Sequence, residues 1–229
     1  MSKLIVMLTY NDETVPNARD VFASCKDLPV DYWGFKNIGL PLGEMKELVA
    51  DMKKAGKITF LEVVTLTELE CLDGAKMALD CGFDYLMGTV FFQSVMDYCT
   101  KNNIKYLPFC GNVYGHPSIL SGTSDEIAES ALALQKAGCA GTDVLAYRHA
   151  DRPEEIIRSL VQRVHFPICV AGSISTYDRI DLVQSINPWT FTIGSALFDG
   201  KFGHDKSFRG QLKAVIDHLG KKSDNNAVS

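Results

Sequence analysis

Two charged residues, Lys36 and Glu62, lie in otherwise apolar segments of the chain. Lys36 ends the run Y-W-G-F-K, and Glu62 interrupts the run F-L-E-V-V. Because an unpaired charge is costly to bury, Glu62 needs a partner, and we expect Lys36 on the neighbouring strand to supply it. Such a pair can transfer a proton beside a carbonyl group, with one residue tuning the other. The pattern leaves open which residue is the acid and which is the base, and a purely structural ion pair has the same signature.

Strand alternation predicts where Lys36 points. Tyr32, Gly34 and Lys36 share one face of a strand, whereas Trp33 and Phe35 share the other face. If Trp33 and Phe35 pack beneath helices, Lys36 faces the opening of a barrel. There its amino group can hold substrate oxygens, stabilise an enediolate, act as a base or form a Schiff base. The alternative is a lysine that is merely solvated at a strand end.

Further polar residues follow other predicted strands. Asn11 follows the first strand in T-Y-N-D, and we expect it to bind substrate; alternatively, residues 12–14 cap the first helix. Asn112 follows the fifth strand and is a second candidate for binding substrate. Arg148 follows the sixth strand, where a guanidinium can bind a phosphate or a carboxylate through two hydrogen bonds. The alternative for Arg148 is a loop contact with Asp151.

Two apolar strands late in the chain each run into a turn of small residues. The first reads I-C-V-A-G-S-I-S from Ile168 to Ser175, and the second reads F-T-I-G-S-A-L-F from Phe191 to Phe198. Glycine lets the backbone approach an anion closely, and the N–H groups that follow point partial positive charge at it. We therefore predict a phosphate site formed by Gly172, Ser173, Gly194 and Ser195.

The elements that must position these residues follow from the hydrophobic pattern. Strand-like runs alternate with helical patterns at a spacing of roughly 25 to 30 residues, which is typical of a βα repeat. Eight strands are predicted at residues 4–9, 31–36, 58–64, 85–88, 105–110, 141–147, 168–171 and 190–193. Helical patterns cover residues 42–55, 69–81, 92–102, 124–137, 153–164, 177–185 and 207–219. The predicted fold class is α/β, a (β/α)8 TIM barrel in a single domain over residues 1–220, followed by a polar tail at 221–229.

In such a barrel the reacting groups project from the C-terminal ends of the strands. The turns after strands seven and eight bind phosphate in many β/α barrels. All the candidates above fall on this face of the predicted barrel. The longest irregular connection, residues 111–122, lies on the same face, and it is therefore a candidate lid over the substrate.

Composition limits the functions that the chain can have. Among 229 residues, 46% are hydrophobic, and the formal net charge is −5 with no basic stripe, which argues against nucleic-acid binding. No apolar run reaches the ~18 residues of a membrane span, and the N-terminus does not read as a signal peptide. We therefore expect a cytoplasmic protein without membrane contact. Its oligomeric state, including a homo-oligomer, stays open.

Cysteine and histidine usage bears on cofactors. The seven cysteines are scattered singly, without the spacing of a zinc ribbon or a redox pair, which predicts free and mostly buried thiols. No set of His, Asp and Glu residues has metal-ligand spacing. We therefore expect neither a metal nor an organic cofactor.

The two late turns also carry a family resemblance. Residues 170–174, V-A-G-S-I, and residues 193–202, I-G-S-A-L-F-D-G-K-F, resemble the phosphate-binding turns of the ribulose-phosphate-binding barrel superfamily. The second turn is especially similar to that of the sugar isomerases of histidine biosynthesis. The resemblance implies a β/α barrel whose backbone amides at these turns hold the phosphate of a substrate.

The sequence departs from particular members of that superfamily. The fifth strand ends F-C-G-N, without the catalytic aspartate of the histidine-pathway isomerases. The segment G-F-K-N-I-G keeps only the lysine of the D-x-K-x-x-D pattern of keto-gulonate-phosphate decarboxylases. A lysine paired with a glutamate is similar to the acid and base of aminosugar-phosphate epimerases.

Three functions are compatible with these patterns. The first is a metal-independent isomerase or epimerase of a small phosphorylated sugar, in which Lys36 and Glu62 move the proton α to a carbonyl. The second is a lyase, an aldolase or decarboxylase of a sugar phosphate that uses Lys36. The third is a barrel that senses a sugar phosphate without catalysis and regulates a partner.

Overall fold

Eight parallel strands form a closed barrel in the structure, a computed structural model that describes the backbone of residues 1–226 and the side chains of residues 1–221. The barrel strands are β1 (Lys3–Met7), β2 (Tyr32–Lys36), β3 (Ile58–Val63), β4 (Tyr85–Gly88), β5 (Lys105–Leu107), β6 (Thr142–Val144), β7 (Ile168–Val170) and β8 (Thr190–Ile193). Each strand pairs in parallel with the next from β1 to β5 and from β6 to β8, and β8 pairs with β1. Between β5 and β6, Asp143 N donates to Pro108 O at 3.0 Å and Cys110 N donates to Asp143 O at 3.2 Å. The predicted (β/α)8 barrel is confirmed.

Nine helices are present among the described residues. They are α1 (Ala18–Cys25), α2 (Leu42–Lys54), α3 (Glu68–Cys81), α4 (Gln93–Lys101), α5 (Ser124–Lys136), α6 (Pro153–Arg163), α7 (Tyr177–Ile186), α8 (Ser195–Phe198) and α9 (Phe208–Asn226). Local sequence explains several of their ends. Thr123 and Glu126 form a capping box at the start of α5, and Pro153 opens α6. Gly82 and Asn187 adopt left-handed conformations that end α3 and α7.

Strand alternation divides the side chains between two cores. Trp33 and Phe35 of β2 lie in the outer core between barrel and helices, where the Trp33 ring meets Phe22 of α1 edge-on at 5.0 Å. The inner core fills the barrel with side chains from six strands: Ile5, Met7, Tyr32, Phe60, Tyr85, Met87, Leu107 and Cys169. Since Tyr32 faces inward, Lys36 at the end of the same strand does so too, as the alternation predicted.

The chain after β1 differs from the prediction. β1 ends at Met7, and residues 9–14 fold back as an antiparallel ribbon in which Thr9–Tyr10 pairs with Glu13–Thr14. We call this the first ribbon. α1 begins only at Ala18, with Asn17 as its N-cap. The alternative that residues 12–14 cap the first helix is therefore wrong.

The connections after β5 and β6 also begin earlier than predicted. β5 ends at Leu107 because Pro108 has no N–H group to continue the ladder. β6 ends at Val144, and Ala146–Arg148 forms a single 3₁₀ turn. Residues 111–122, expected to be irregular, contain an antiparallel ribbon in which Asn112–Tyr114 pairs with Ile119–Ser121. We call this the second ribbon.

The C-terminal segment is partly helical. α9 runs to Asn226 and therefore passes the boundary at residue 220 that the sequence suggested for the tail. The remainder of that predicted tail, residues 227–229, lies outside the described residues. Within the described chain, no helix combines the length and the apolar character that a membrane span requires.

Candidate active site

A cavity of about 290 Å³ opens at the C-terminal ends of the barrel strands. Seven of the nine site residues predicted from the sequence line it: Lys36, Glu62, Arg148, Gly172, Ser173, Gly194 and Ser195. The other two, Asn11 and Asn112, do not line this cavity. The structure thus brings the predicted acid–base pair and both predicted phosphate turns to one small space, while the role of each residue stays a prediction.

Four charged side chains form a connected cluster at the wall of the cavity. Lys36 Nζ lies 2.7 Å from Asp12 Oδ1 and 3.9 Å from Glu62 Oε1. Arg148 Nη2 lies 2.8 Å from the same Asp12 oxygen. Lys36 and Glu62 are neighbours because β2 and β3 pair with these two residues in register. Their side chains are only 6% and 12% exposed, so the pair is largely withdrawn from bulk water.

The first ribbon carries Asp12 into this cluster. Asn11 and Asp12 form its turn with left-handed φ values of 49° and 66°. The ribbon is fixed to β2 through Thr14, whose hydroxyl donates to Lys36 O at 2.8 Å and accepts from Lys36 N at 3.0 Å. The T-Y-N-D run predicts a polar turn here with Asn11 as the binding residue, whereas the ribbon brings Asp12 into the cluster.

The ion pairs determine the charge of Asp12. Burial raises the pKa of this carboxyl, but hydrogen bonds from Lys36 and Arg148 lower it by more than burial raises it. The net result is a pKa of about 2, compared with an ordinary value of 3.8. Asp12 is therefore ionised at neutral pH. It holds both cations at fixed positions beside the cavity.

The two Gly-Ser turns lie side by side because β7 and β8 are paired neighbours. Gly172 and Ser173 adopt left-handed φ values of 83° and 54°. At Gly194, a Cβ atom would lie 2.7 Å from Thr9 Oγ1, so a larger residue does not fit there without displacement. Neither turn is buried, since all four residues are partly or fully exposed to the cavity side. Both turns therefore border the cavity, and phosphate binding by their backbone N–H groups stays a prediction.

Arg148 connects the cluster to the second ribbon. In addition to its ion pair with Asp12, its Nη1 atom donates to Ser118 O at 3.4 Å. The stem of the side chain covers Gly172, where a Cβ atom would lie 2.9 Å from Arg148 Cγ. The sequence alternative in which Arg148 contacts Asp151 is not what the structure shows.

A second, outer cavity of about 440 Å³ adjoins the first. The two cavities share Asp12, Arg148, Ser173 and Ser195. Asn11 lines the outer cavity, and its backbone N–H donates to Ser195 Oγ at 3.3 Å. Residues 117–119 of the second ribbon line it as well, so the segment predicted as a lid lies beside the candidate site.

Asn112 lies apart from both cavities. It is exposed on the second ribbon, where its side-chain amide donates to Ser121 Oγ at 3.0 Å. The sequence placed Asn112 directly after a strand that extended to residue 110. Since β5 ends at Leu107, the chain has left the barrel before it reaches Asn112.

One further acid, Asp143, lies inside the barrel near this cluster. It is fully buried, and neither of its carboxylate oxygens has a hydrogen-bond partner among the described residues. Burial raises the pKa of Asp143 well above its ordinary value, and the charge of Glu62 adds to that increase. Sequence reasoning passed over Asp143, although an acid between Thr142 and Val144 in an apolar strand was an available signal.

All seven cysteines are free and buried, as the sequence predicted. Burial raises the pKa of the Cys110 thiol to about 12. A cysteine nucleophile reacts as the thiolate, whereas the buried Cys110 thiol stays protonated at neutral pH. Cys110 therefore acts as a packing residue.

Comparisons with known proteins identify solved structures with a similar fold. No protein-family model matches the chain, and a search of curated proteins finds no similar sequence. The solved structures that share its architecture include three enzymes whose names refer to phosphate-bearing compounds. Orotidine 5′-phosphate decarboxylase from Pyrococcus horikoshii OT3 superposes with a TM-score of 0.69 at 15% identity, covering 94% of this chain and 98% of that one.

The other two structures are a 2-epimerase and an isomerase. N-acetylmannosamine-6-phosphate 2-epimerase from Clostridium perfringens has a TM-score of 0.64 at 10% identity, with 96% and 92% of the chains covered. N-(5′-phosphoribosyl)anthranilate isomerase from Pyrococcus furiosus has a TM-score of 0.63 at 11% identity, with 95% and 100% covered. At these identities the likeness shows the fold alone, a β/α barrel, and the resemblance to the ribulose-phosphate-binding superfamily stays a prediction.

Proposed function

We propose that the protein is an isomerase or epimerase of a small phosphorylated sugar that works by proton transfer at the carbon next to a carbonyl group. One observation carries the proposal: a buried lysine–glutamate pair and two Gly-Ser turns line the same cavity of about 290 Å³. If the two turns hold the phosphate of a ligand, its reactive carbons lie in the same small cavity as Lys36 and Glu62. The cavity volume suits a small metabolite.

The turns supply binding and orientation in this proposal. Backbone N–H groups of Gly172, Ser173, Gly194 and Ser195 bind the phosphate. Fixing the phosphate presents the remainder of the sugar to Lys36 and Glu62 in a limited range of poses. Orientation of this kind lowers the entropy cost of the chemical step.

The charged pair supplies the chemistry. A carboxylate removes the proton from the carbon beside the carbonyl, and a nearby cation stabilises the negative charge that develops on the carbonyl oxygen. Because Lys36 and Glu62 are largely shielded from water, both interactions are stronger than they are in bulk solvent. Protonation of the same carbon from the opposite face gives the epimer. Delivery of the proton to the neighbouring carbon, with a proton passing between the two enediolate oxygens, gives the isomer. Proton transfer by positioned groups contributes a rate factor of roughly 10² to 10⁴.

The fold neighbours are consistent with the ligand class. The names of all three proteins above refer to phosphate-bearing compounds, and two of the three proteins are an epimerase and an isomerase. The decarboxylase among them keeps a lyase reaction as the second candidate. In this chain Lys36 Nζ makes a 2.7 Å ion pair with Asp12, whereas an amine that attacks a carbonyl must be neutral and free. The observed contacts therefore favour an electrostatic role for Lys36 over a Schiff base.

Proton exchange in deuterated water tests the proposal. A panel of phosphorylated ketoses and aminosugars is incubated with the protein, and incorporation of deuterium at the carbon beside the carbonyl is followed by NMR. We expect exchange with at least one compound, and its loss in the Lys36→Met and Glu62→Gln variants with phosphate binding retained. Lys105→Met and Glu13→Gln are matched controls, since Lys105 contacts Tyr85 where β5 begins and Glu13 is exposed on the first ribbon.

The outcomes separate the three candidate functions. Exchange that depends on Lys36 and Glu62 supports an isomerase or epimerase. Covalent trapping of Lys36 by borohydride in the presence of a sugar phosphate would instead establish a Schiff-base lyase. Tight binding of a sugar phosphate with neither exchange nor cleavage would support the third function, a barrel that senses a sugar phosphate without catalysis. Exchange that both variants retain in full would refute the assignment of the pair.

A further inference from the structure

Asp143 is a buried acid, and its surroundings determine whether it is ionised. It lies in the middle of β6, where the next residue, Val144, belongs to the outer core. Asp143 therefore faces the barrel interior, and its partner in the β6–β7 register is Cys169 of the inner core. Its carboxyl group is fully buried, and neither oxygen accepts a hydrogen bond from any described residue. No cation contacts Asp143 directly among the described ion pairs.

The charges of the cluster balance without Asp143. Two basic side chains, Lys36 and Arg148, and two acidic ones, Asp12 and Glu62, are linked through contacts of 2.7 to 3.9 Å. An ionised Asp143 would add a further negative charge in the most buried position. Burial of an ionised carboxylate without a partner is far more costly than burial of the neutral acid.

The groups that face Asp143 come from five strands of the barrel or from the residues that follow them. They are Lys36 of β2, Glu62 of β3, Cys110 after β5, Arg148 after β6 and Cys169 of β7. Burial is the largest influence and raises the pKa of Asp143; Glu62 raises it further, while Lys36 and Arg148 lower it. Both cysteines stay protonated, since burial raises the pKa of each thiol. Of the two carboxyl groups, Glu62 lines the cavity and contacts Lys36. Asp143 does not line the cavity and has no ion pair among the described residues.

We infer that Asp143 is a neutral carboxylic acid in the resting protein and that it is a positioning residue, which leaves the negative charge on Glu62. The second part rests on the proposed function, for which it settles the direction of proton transfer. Glu62 takes the proton from the substrate carbon, the C–H electron pair forms the enediolate, and the Lys36 ammonium stabilises the enediolate oxygen. Glu62 then gives its proton to the neighbouring carbon while a proton passes between the two enediolate oxygens, which yields the isomer, and Asp143 keeps its own proton throughout.

Carboxyl-carbon NMR tests this inference without any substrate. The protein is labelled with ¹³C at the aspartate side-chain carboxyl carbons and titrated from about pH 5 to about pH 9, where ordinary aspartates are ionised. We expect one resonance at the position of a protonated acid at neutral pH, and we expect Asp143→Asn to remove it. Asp84→Asn is the matched control. Thr59 and Lys53 hydrogen-bond the Asp84 carboxylate, so this variant should remove an ionised resonance.

A measurement on Glu62→Gln keeps the inference falsifiable if Asp143→Asn folds poorly, and a comparison of melting temperatures adds a second test if that variant folds. In Glu62→Gln, the Asp143 resonance should change to the ionised position at lower pH than in the wild type, because a neighbouring negative charge is gone. A group whose pKa is raised by folding stabilises the fold below its unfolded pKa of about 4, and this contribution is lost as the pH rises. Wild-type Tm should therefore fall relative to that of Asp143→Asn between about pH 5 and about pH 8.

The failure of this inference is distinguishable from the failure of the proposed function. An ionised Asp143 at neutral pH overturns the inference and leaves the phosphate site intact. An Asp143 resonance that is unchanged by Glu62→Gln overturns the coupling between the two acids. A panel of sugar phosphates that shows no exchange, together with a protonated Asp143, removes the catalytic role and keeps the charge assignment.

Discussion

Replacing Asp12 by asparagine removes the carboxylate that joins Lys36 to Arg148. Both contacts are short, at 2.7 and 2.8 Å, and the Asp12 side chain is only 16% exposed. Burial raises the pKa of Asp12, and the two cations lower it more, to about 2 from 3.8. That net decrease makes the ionised form about 2.5 kcal/mol more favourable in the folded protein than in the unfolded chain.

The pH dependence of this contribution has a definite sign. For an acid with a lowered pKa, the stabilisation is fully present above the unfolded pKa of about 3.9 and is lost as the pH falls through about 2. We therefore expect Asp12→Asn to lower the free energy of unfolding by about 2.5 kcal/mol at neutral pH. In a chain of this size that corresponds to a decrease in Tm of roughly 5 to 10 °C. The difference between the two proteins should shrink below about pH 4.

Urea unfolding at about pH 7 and about pH 3 measures both quantities. Asp27→Asn is the matched control. A hydrogen bond from Arg209 lowers the pKa of Asp27 to about 2 as well, but that pair is exposed to solvent. An exposed pair contributes much less to stability, so the control should change little. The reasoning is refuted if Asp12→Asn and Asp27→Asn are equally mild at neutral pH, or if the effect of Asp12→Asn grows in acid.

Two further predictions concern the second turn and the thiols. Gly194→Ala places a Cβ atom 2.7 Å from Thr9 Oγ1, so urea unfolding should show a loss of about 1 to 3 kcal/mol and calorimetric titration should show weaker phosphate binding. Gly43→Ala on α2, where a Cβ atom meets nothing within 4 Å, should be neutral or slightly stabilising. Because all seven cysteines are buried and burial raises the pKa of Cys139, for example, to about 12, an alkylating reagent should label none of them in the folded protein at about pH 8. Mass spectrometry of the intact protein would show a single unmodified species, and rapid labelling of any thiol would contradict this expectation.

The barrel was predictable from the sequence because its signals are local. Each strand is a short apolar run, and most helices have clear start or stop residues, such as Thr123 before α5 and Gly82 after α3. The proximity of Lys36 and Glu62 followed from the same rhythm, since consecutive strands of a βα repeat are usually neighbours. Inward alternation along β2 then placed Lys36 in the opening.

Asp12 and Asp143 were not predictable in the same way. Asp12 reaches the cavity because the first ribbon folds back and Thr14 bonds to β2, which are long-range contacts that the T-Y-N-D run does not encode. A polar turn after a strand has the same composition whether it caps a helix or lines a site. The neutrality of Asp143 depends on its complete burial and on Glu62, and both are properties of the closed barrel.

Asn112 shows the cost of an error in a strand boundary. The run from residue 106 to residue 110 is apolar, so the pattern predicts a strand that extends past Pro108. The proline has no N–H group and ends the regular ladder of β5, and the chain leaves the barrel after Cys110, whose N–H still donates to Asp143 O. Asn112 consequently lies on the second ribbon rather than at the strand end.

Amide NMR titration with inorganic phosphate and then with a phosphorylated sugar tests the central claim most directly, because it locates the anion whatever the reaction is. Backbone amides of Gly172, Ser173, Gly194 and Ser195 should show the largest shifts and should follow one saturating curve for each ligand. The account is contradicted if these four amides do not move, or if the shifts are spread over exposed lysines and arginines elsewhere on the surface.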